Sequence, residues 1–208
     1  MDIRAAWDEI VRITFSASTV AEGMSALIDL TAQAEPSAKW DELRSLDYEG
    51  DALTLRGWLA GVLAAEPPAS DVKAYWFGVF NPVVDDEASC EFYVSGATED
   101  YTPDTLDWAC WTEETYLPQD RYAPSQVLPA LYRTAQGVED AELLGEYTLC
   151  LGYVCLVVMA MARSLEPRLF LSGAAPRRIA VGFDAGDGLL LGTVRQTGWS
   201  PADPLAAG

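Results

Sequence analysis

Carboxylates are the chemically useful groups this chain supplies in quantity. It holds 32 Asp and Glu against 13 Lys and Arg, and no His. Without imidazole, Ser-His-Asp and Cys-His nucleophile systems and HExxH metal sites are excluded. The sequence contains neither GxGxxG nor GxxxxGK[ST], so the usual phosphate-cradling loops are missing. Paired carboxylates can run glycoside hydrolysis or collect a divalent cation. Asp85-Asp86-Glu87 and Asp184-x-x-Asp187-Gly188 resemble fragments of calcium loops. Neither has the alternating ligand spacing such loops need, and Asp and Gly also suit hairpin turns. Both are read as turns, and no metal and no cofactor is expected. A reactive thiol needs a nearby cation or helix N-terminus. Cys90 and Cys110 lie among acids, and Cys150 and Cys155 lie in an apolar segment, so all four read as structural.

The acids are not spread evenly. Residues 74–120 hold eleven of them and no Lys, Arg or His, together with Trp76, Trp108, Trp111, Tyr75, Tyr93, Tyr101 and Tyr116. Carboxylates steer a basic partner toward a surface, and Trp and Tyr provide anchoring area once it arrives. The candidate partner-binding residues are therefore Asp85, Asp86, Glu87, Glu99, Asp100, Tyr101, Asp104, Asp107, Trp108, Trp111, Glu113 and Glu114. For Trp108 and Trp111 a place in the core and a place against a partner both stay open.

The elements that must hold this region are legible in outline. Residues 2–16 carry apolar side chains at helical spacing. Ser18 or Thr19 is placed to cap a second helix, residues around Trp40 form a short third, and Asp51 is read as the cap of a fourth over 53–63. Pro67-Pro68 marks a linker. Residues 73–80 (KAYWFGVF) and 90–95 (CEFYVS) read as strands of an antiparallel hairpin. Residues 108–111 suggest a short strand, and Ser125 a cap for a helix over 126–136. Residues 147–162 (YTLCLGYVCLVVMAMA) are the most apolar stretch. As a helix they span about 24 Å, short of a hydrocarbon core of about 30 Å, and read as a buried central helix. Residues 179–183 and 189–194 close the chain with a second hairpin. The fold class is α+β: N-terminal helices over 1–66, a linker at 67–72, and an α+β domain over 73–197. That domain is an antiparallel or mixed sheet packed against the long apolar helix, followed by a loosely ordered tail over 198–208.

A net charge of −19 opposes binding to nucleic acid and to anionic membranes. The N-terminal MDIRAAWDEIVRITF lacks the pattern of a signal peptide, and reduced thiols point to a cytoplasmic protein. Two segments, AYWFGVFNP…CEFYVSGATEDYTPDTLDWAC and RRIAVGFDAGDGLLLG, resemble small bacterial proteins, some of them among the immunity proteins of polymorphic toxin systems. The resemblance covers about residues 73–195. It implies a cytoplasmic protein that binds and neutralises a cognate toxin. The expected function is that of a non-enzymatic acidic binding protein, an immunity-type inhibitor occluding a basic protein partner. A carboxylate-based hydrolase, with or without the assistance of a divalent metal, and a structural or scaffold protein are the alternatives.

Overall fold

The structure is a computed structural model, and it describes residues 3–84, 86–98, 115–139, 142–184 and 188–203. Helix α1 (Ile3–Ser16) turns Ala6, Ile10, Ile13 and Thr14 inward, the spacing of an amphipathic helix. Thr19 caps α2 (Val20–Ala34) by accepting the Glu22 amide at 3.1 Å. Glu22 in return accepts the Ser18 amide at 3.0 Å, so two free N–H groups are satisfied locally. A single turn, α3 (Trp40–Leu43), leads to α4 (Tyr48–Ala65).

The cap of α4 differs from expectation. Asp47, not Asp51, accepts from the first turn, at the Gly50 amide, and the helix starts at Tyr48. Asp51 lies inside the helix and is buried. Its carboxylate accepts from Ser125 Oγ at 2.7 Å, the Gln126 amide at 2.9 Å and Tyr153 Oη at 2.5 Å. Ser125 Oγ also accepts the Leu128 amide at 3.0 Å, so Asp51 and Ser125 together start α5 (Val127–Gln136).

The centre of the molecule is a rod: α6 (Glu142–Gly145), a π-helical turn (Glu146–Leu151) and α7 (Gly152–Ser164). The apolar helix over Leu143–Ser164 has 22 residues, or about 33 Å. It is thus longer than the sixteen apolar residues suggest, and its length no longer argues against a membrane. Burial does, because 83% of its most apolar window lies inside the protein. Helices α1, α2 and α4 pack along it. Leu27 of α2 lies against Gly152, and Leu156 of α7 lies against Gly23. A Cβ on Gly152 would come within 2.5 Å of Leu27, and one on Gly23 within 2.4 Å of Leu156. Each helix seats its leucine in the other's glycine notch.

The rod also packs on a six-stranded sheet in the order β5-β4-β1-β6-β7-β8. Its strands are β1 (Ala74–Phe80), β4 (Glu91–Ala97), β5 (Thr115–Tyr116), β6 (Arg177–Phe183), β7 (Gly188–Arg195) and β8 (Gly198–Pro201). β2 (Val83–Val84) and β3 (Glu87–Ala88) form a small separate hairpin between β1 and β4. The hairpins β1–β4 and β6–β7 are antiparallel, as expected. β1 and β6 run parallel, which makes the sheet mixed and the fold α+β. One-turn α8 (Pro167–Phe170) completes the crossover. Residues 198–201, expected in a loose tail, instead pair with β7.

Alternation along the strands sorts the two faces. Tyr75, Phe77, Val79, Phe92, Val94, Ile179 and Val181 join one cluster that also takes in α1, α2, α4 and the rod. Side chains on both sides of segment 67–72 belong to that cluster. Trp76, Ala74, Ala97 and Ala180 form a second cluster on the opposite face. Buried Arg177 ties segment 67–72 down, with Nη2 donating to Ala69 O at 2.7 Å and Nη1 to Tyr75 Oη at 3.1 Å.

Candidate site at the carboxyl ends of β1 and β6

Parallel pairing of β1 with β6 brings the ends of both strands to one edge of the sheet. Asn81 follows β1 there, and Asp184 follows β6, with its amide bonded to Val79 O at 3.2 Å. The amino end of the rod arrives at the same edge. Between them is a cleft of about 430 Å³. β1 contributes Val79 and Phe80, and Asn81 follows them. The rod contributes Leu143, Glu146 and Tyr147, β6 contributes Phe183 followed by Asp184, and α1 contributes Ile3. The Tyr147 and Phe183 rings lie 5.8 Å apart on its wall. Leu143, 62% exposed, stands at the mouth.

Two acids belong to the lining of this largely apolar space: Glu146 on the rod, and Asp184, whose Oδ1 lies over Gly78 beside Tyr93 at the divide with the neighbouring cleft. Burial raises the pKa of Glu146 from its ordinary value, and the neighbouring Asn81 side chain pulls it back in part. Burial also raises that of Asp184, against a hydrogen bond from Tyr93. Tyr93 Oη donates to Asp184 Oδ1 at 2.9 Å. Among the described residues neither carboxylate enters an ion pair, since the pairs formed are those of Arg12, Arg44 and Arg168. Glu146 and Tyr147 open the π-helical turn. Such turns recur at functional sites because the extra residue redirects side chains on an otherwise regular helix.

A second cleft of about 270 Å³ adjoins the first and shares Phe80 and Asp184 with it. Its floor is three rings, Phe80, Tyr93 and Tyr122, with centroids 5.7 to 6.2 Å apart. Tyr122 is held there by its backbone. Val94 donates to Arg121 O at 3.0 Å, and Ala123 donates to Phe92 O at 2.9 Å, so residues 121–123 run beside β4. The Arg121 guanidinium lies 4.7 Å over the Tyr122 ring.

No family model, curated protein or solved structure matches this chain. The site is therefore read from its own geometry.

Of the residues expected to bind a partner, Asp86 and Glu87 are described, and both are exposed on the β2–β3 hairpin. Asp86 adopts φ 65°, a left-handed turn conformation that Asp accepts more readily than most residues. Neither lines the two clefts. Asp85, Glu99, Asp100, Tyr101, Asp104, Asp107, Trp108, Trp111, Glu113 and Glu114 lie outside the described residues, as does the short strand expected over 108–111.

Glu146 and Asp184 were not among the expected site residues. Asp184 reads in sequence as the start of a hairpin turn, and Glu146 as the boundary of an apolar helix. The only sequence signal is positional, because Asn81 and Asp184 each follow a strand. Ligands favour the crevice beyond the carboxyl ends of parallel strands, but the parallel pairing itself is not written in either segment. Among the described residues no group of three or more His, Cys, Asp or Glu is arranged to hold a metal. Cys90, Cys150 and Cys155 are buried and free, and burial pushes the Cys155 thiol up to about 12.

Proposed function

We propose that this chain is a non-enzymatic acidic binding protein, an immunity-type inhibitor that occludes a basic protein partner such as a toxin, and that it works in the cytoplasm. The observation that carries this reading is the end of the sheet beyond β1. There the exposed acids Asp86 and Glu87 stand on a hairpin, with Val83 on its first strand 72% exposed. At the same end, exposed Tyr122 caps the ring cluster with Phe80 and Tyr93. Carboxylates with a net charge of −19 behind them raise the encounter rate with a basic surface. Rings and exposed aliphatic side chains then supply contact area that excludes water.

The experiment is affinity capture with the products of neighbouring genes, at low and high salt, for the wild type and for the double variant Asp86→Lys/Glu87→Lys. A basic protein retained at low salt, and lost with salt or with charge reversal, supports the reading. Retention of nothing at low salt removes it. A retained partner that charge reversal leaves in place speaks for acidity that serves solubility alone.

A second reading, a carboxylate-based hydrolase, is favoured by one observation: Glu146 and Asp184 line the same cleft, and burial raises both pKa values. It requires that a chromogenic glycoside or ester be turned over, and that Glu146→Gln and Asp184→Asn each abolish turnover. No turnover across such a panel leaves the binding reading alone.

A further inference from the structure

We propose that the cleft between the rod and the carboxyl ends of β1 and β6 is a binding site for a small organic cation, an ammonium group on an apolar body of about eight heavy atoms. This site is separate from the acidic hairpin and does not rest on the inhibitor reading.

Size is the first argument. The cleft measures about 430 Å³, within the range of roughly 300–1,000 Å³ typical of small-molecule sites. Its walls are apolar, and Ile3 and Leu143, 40% and 62% exposed, leave that lining open to water. An apolar body entering the cleft would remove this surface from solvent.

Charge decides the polar end of the ligand. Among the described residues, Glu146 and Asp184 are the charged members of the lining, which holds no Lys or Arg. Neither acid is ion-paired among the described residues. Partial burial without a counter-charge disfavours their ionised forms, which is why both pKa values rise. An ammonium group supplies the missing charge and up to three donors. Phe80, Phe183 and Tyr147 line the cleft, and a ring face it presents would add attraction for a cation. An anionic ligand would meet two carboxylates and be repelled. The cation of the neighbouring cleft, Arg121, already lies over Tyr122.

The test is calorimetric titration of the purified chain with three probes of similar shape: 2-phenylethylamine, 2-phenylethanol and 3-phenylpropanoate. The amine is expected to bind, the alcohol at least about tenfold more weakly and the acid not at all. Glu146→Gln and Asp184→Asn should each weaken the amine by about tenfold. Leu143→Lys alters an exposed position, so its folding is secure, and it places a tethered ammonium at the mouth that should also displace the amine. Asp86→Asn/Glu87→Gln removes two negative charges outside the cleft and should leave amine binding intact. Equal binding of the three probes, no binding of the amine, or amine binding that survives Glu146→Gln, Asp184→Asn and Leu143→Lys overturns the proposal. So does an amine affinity that falls equally in Asp86→Asn/Glu87→Gln, since that is the response of general attraction to an acidic surface.

Discussion

Tyr93 Oη donates to Asp184 Oδ1 at 2.9 Å across a gap that Gly78 leaves open. Gly78 pairs with Tyr93 on one side and Gly182 on the other. A Cβ at position 78 would stand 2.6 Å from both Asp184 Oδ1 and the Tyr93 ring. The glycine in AYWFGVF thus makes room for a contact that joins β4 to the turn after β6.

Gly78→Ala is expected to break this bond and to destabilise the fold by about 1–3 kcal/mol, the usual cost of forcing extra atoms into packed space. Tyr93→Phe removes the donor without the clash. A hydrogen bond to a carboxylate favours its ionised form, so losing it should raise the Asp184 pKa further. Urea unfolding measures the first effect and carboxyl-carbon NMR titration the second. An Asp184 titration unmoved in Tyr93→Phe would show that the bond does not tune this carboxylate.

Asp51 gathers three donors, two from the segment before α5 and one from α7. Asp51→Ala leaves the buried Tyr153 Oη, and the part-buried Ser125 Oγ and Gln126 amide, without their acceptor. It should cost about 3 kcal/mol or more. Tyr153→Phe removes one partner only and should cost about 1–2 kcal/mol. Chemical denaturation with an unchanged slope would read both as changes in stability alone.

The paired notches of α2 and α7 predict non-additive mutations. Gly152→Ala presses on Leu27 and should cost about 1–3 kcal/mol, and Leu27→Ala alone about 2–5 kcal/mol. Combined, they should cost clearly less than their sum, because the new methyl occupies part of the space the leucine vacates. The same holds for Gly23→Ala with Leu156→Ala. Additive losses would mean that the leucines do not seat in the notches.

Alkaline stability follows from buried groups that hold their protons. Burial lifts Cys155 from 9.0 to about 12. It lifts Tyr116 from 10.0 to about 12, and the nearby Glu66 adds to the rise. In the unfolded chain these groups ionise near their ordinary values, while in the folded chain they stay protonated. The folded state therefore binds more protons above pH 9, and stability should fall as pH rises from about 9 to 12. Cys155→Ala should flatten the first part of that decline and Tyr116→Phe the later part. Unfolding midpoints measured across this window test both, and a slope unchanged in both variants would refute the assignment.

Much of the fold is legible because its causes are local. Thr19 with Glu22 marks the start of α2 within four residues, and the apolar spacing from Ile3 to Phe15 marks α1. Alternation and β-branched or aromatic residues mark β1, β4, β6 and β7. A stretch as apolar as 147–162 has to be buried somewhere, whatever surrounds it. Local reasoning fails where two nearby residues offer the same chemistry. Asp47 and Asp51 are both plausible caps, and the choice rests on Ser125 and Tyr153, 74 and 102 residues away from Asp51. β8 is short, with Pro201 at its end, and only the free edge of β7 makes it a strand.

The sequence by itself determined that the chain is acidic, free of imidazole, and built from helices around a buried apolar rod beside aromatic strands. Composition and short-range periodicity carry all of this. Only the tertiary structure decided that β1 and β6 run parallel. That pairing joins segments about a hundred residues apart, so nothing within either one encodes it. It brings Asn81 and Asp184 to one end of the sheet, where Glu146 of the π-helical turn lines the same cleft. Two carboxylates unremarkable among 32 become the polar end of one cleft, because burial and proximity are properties of the assembled sheet and rod.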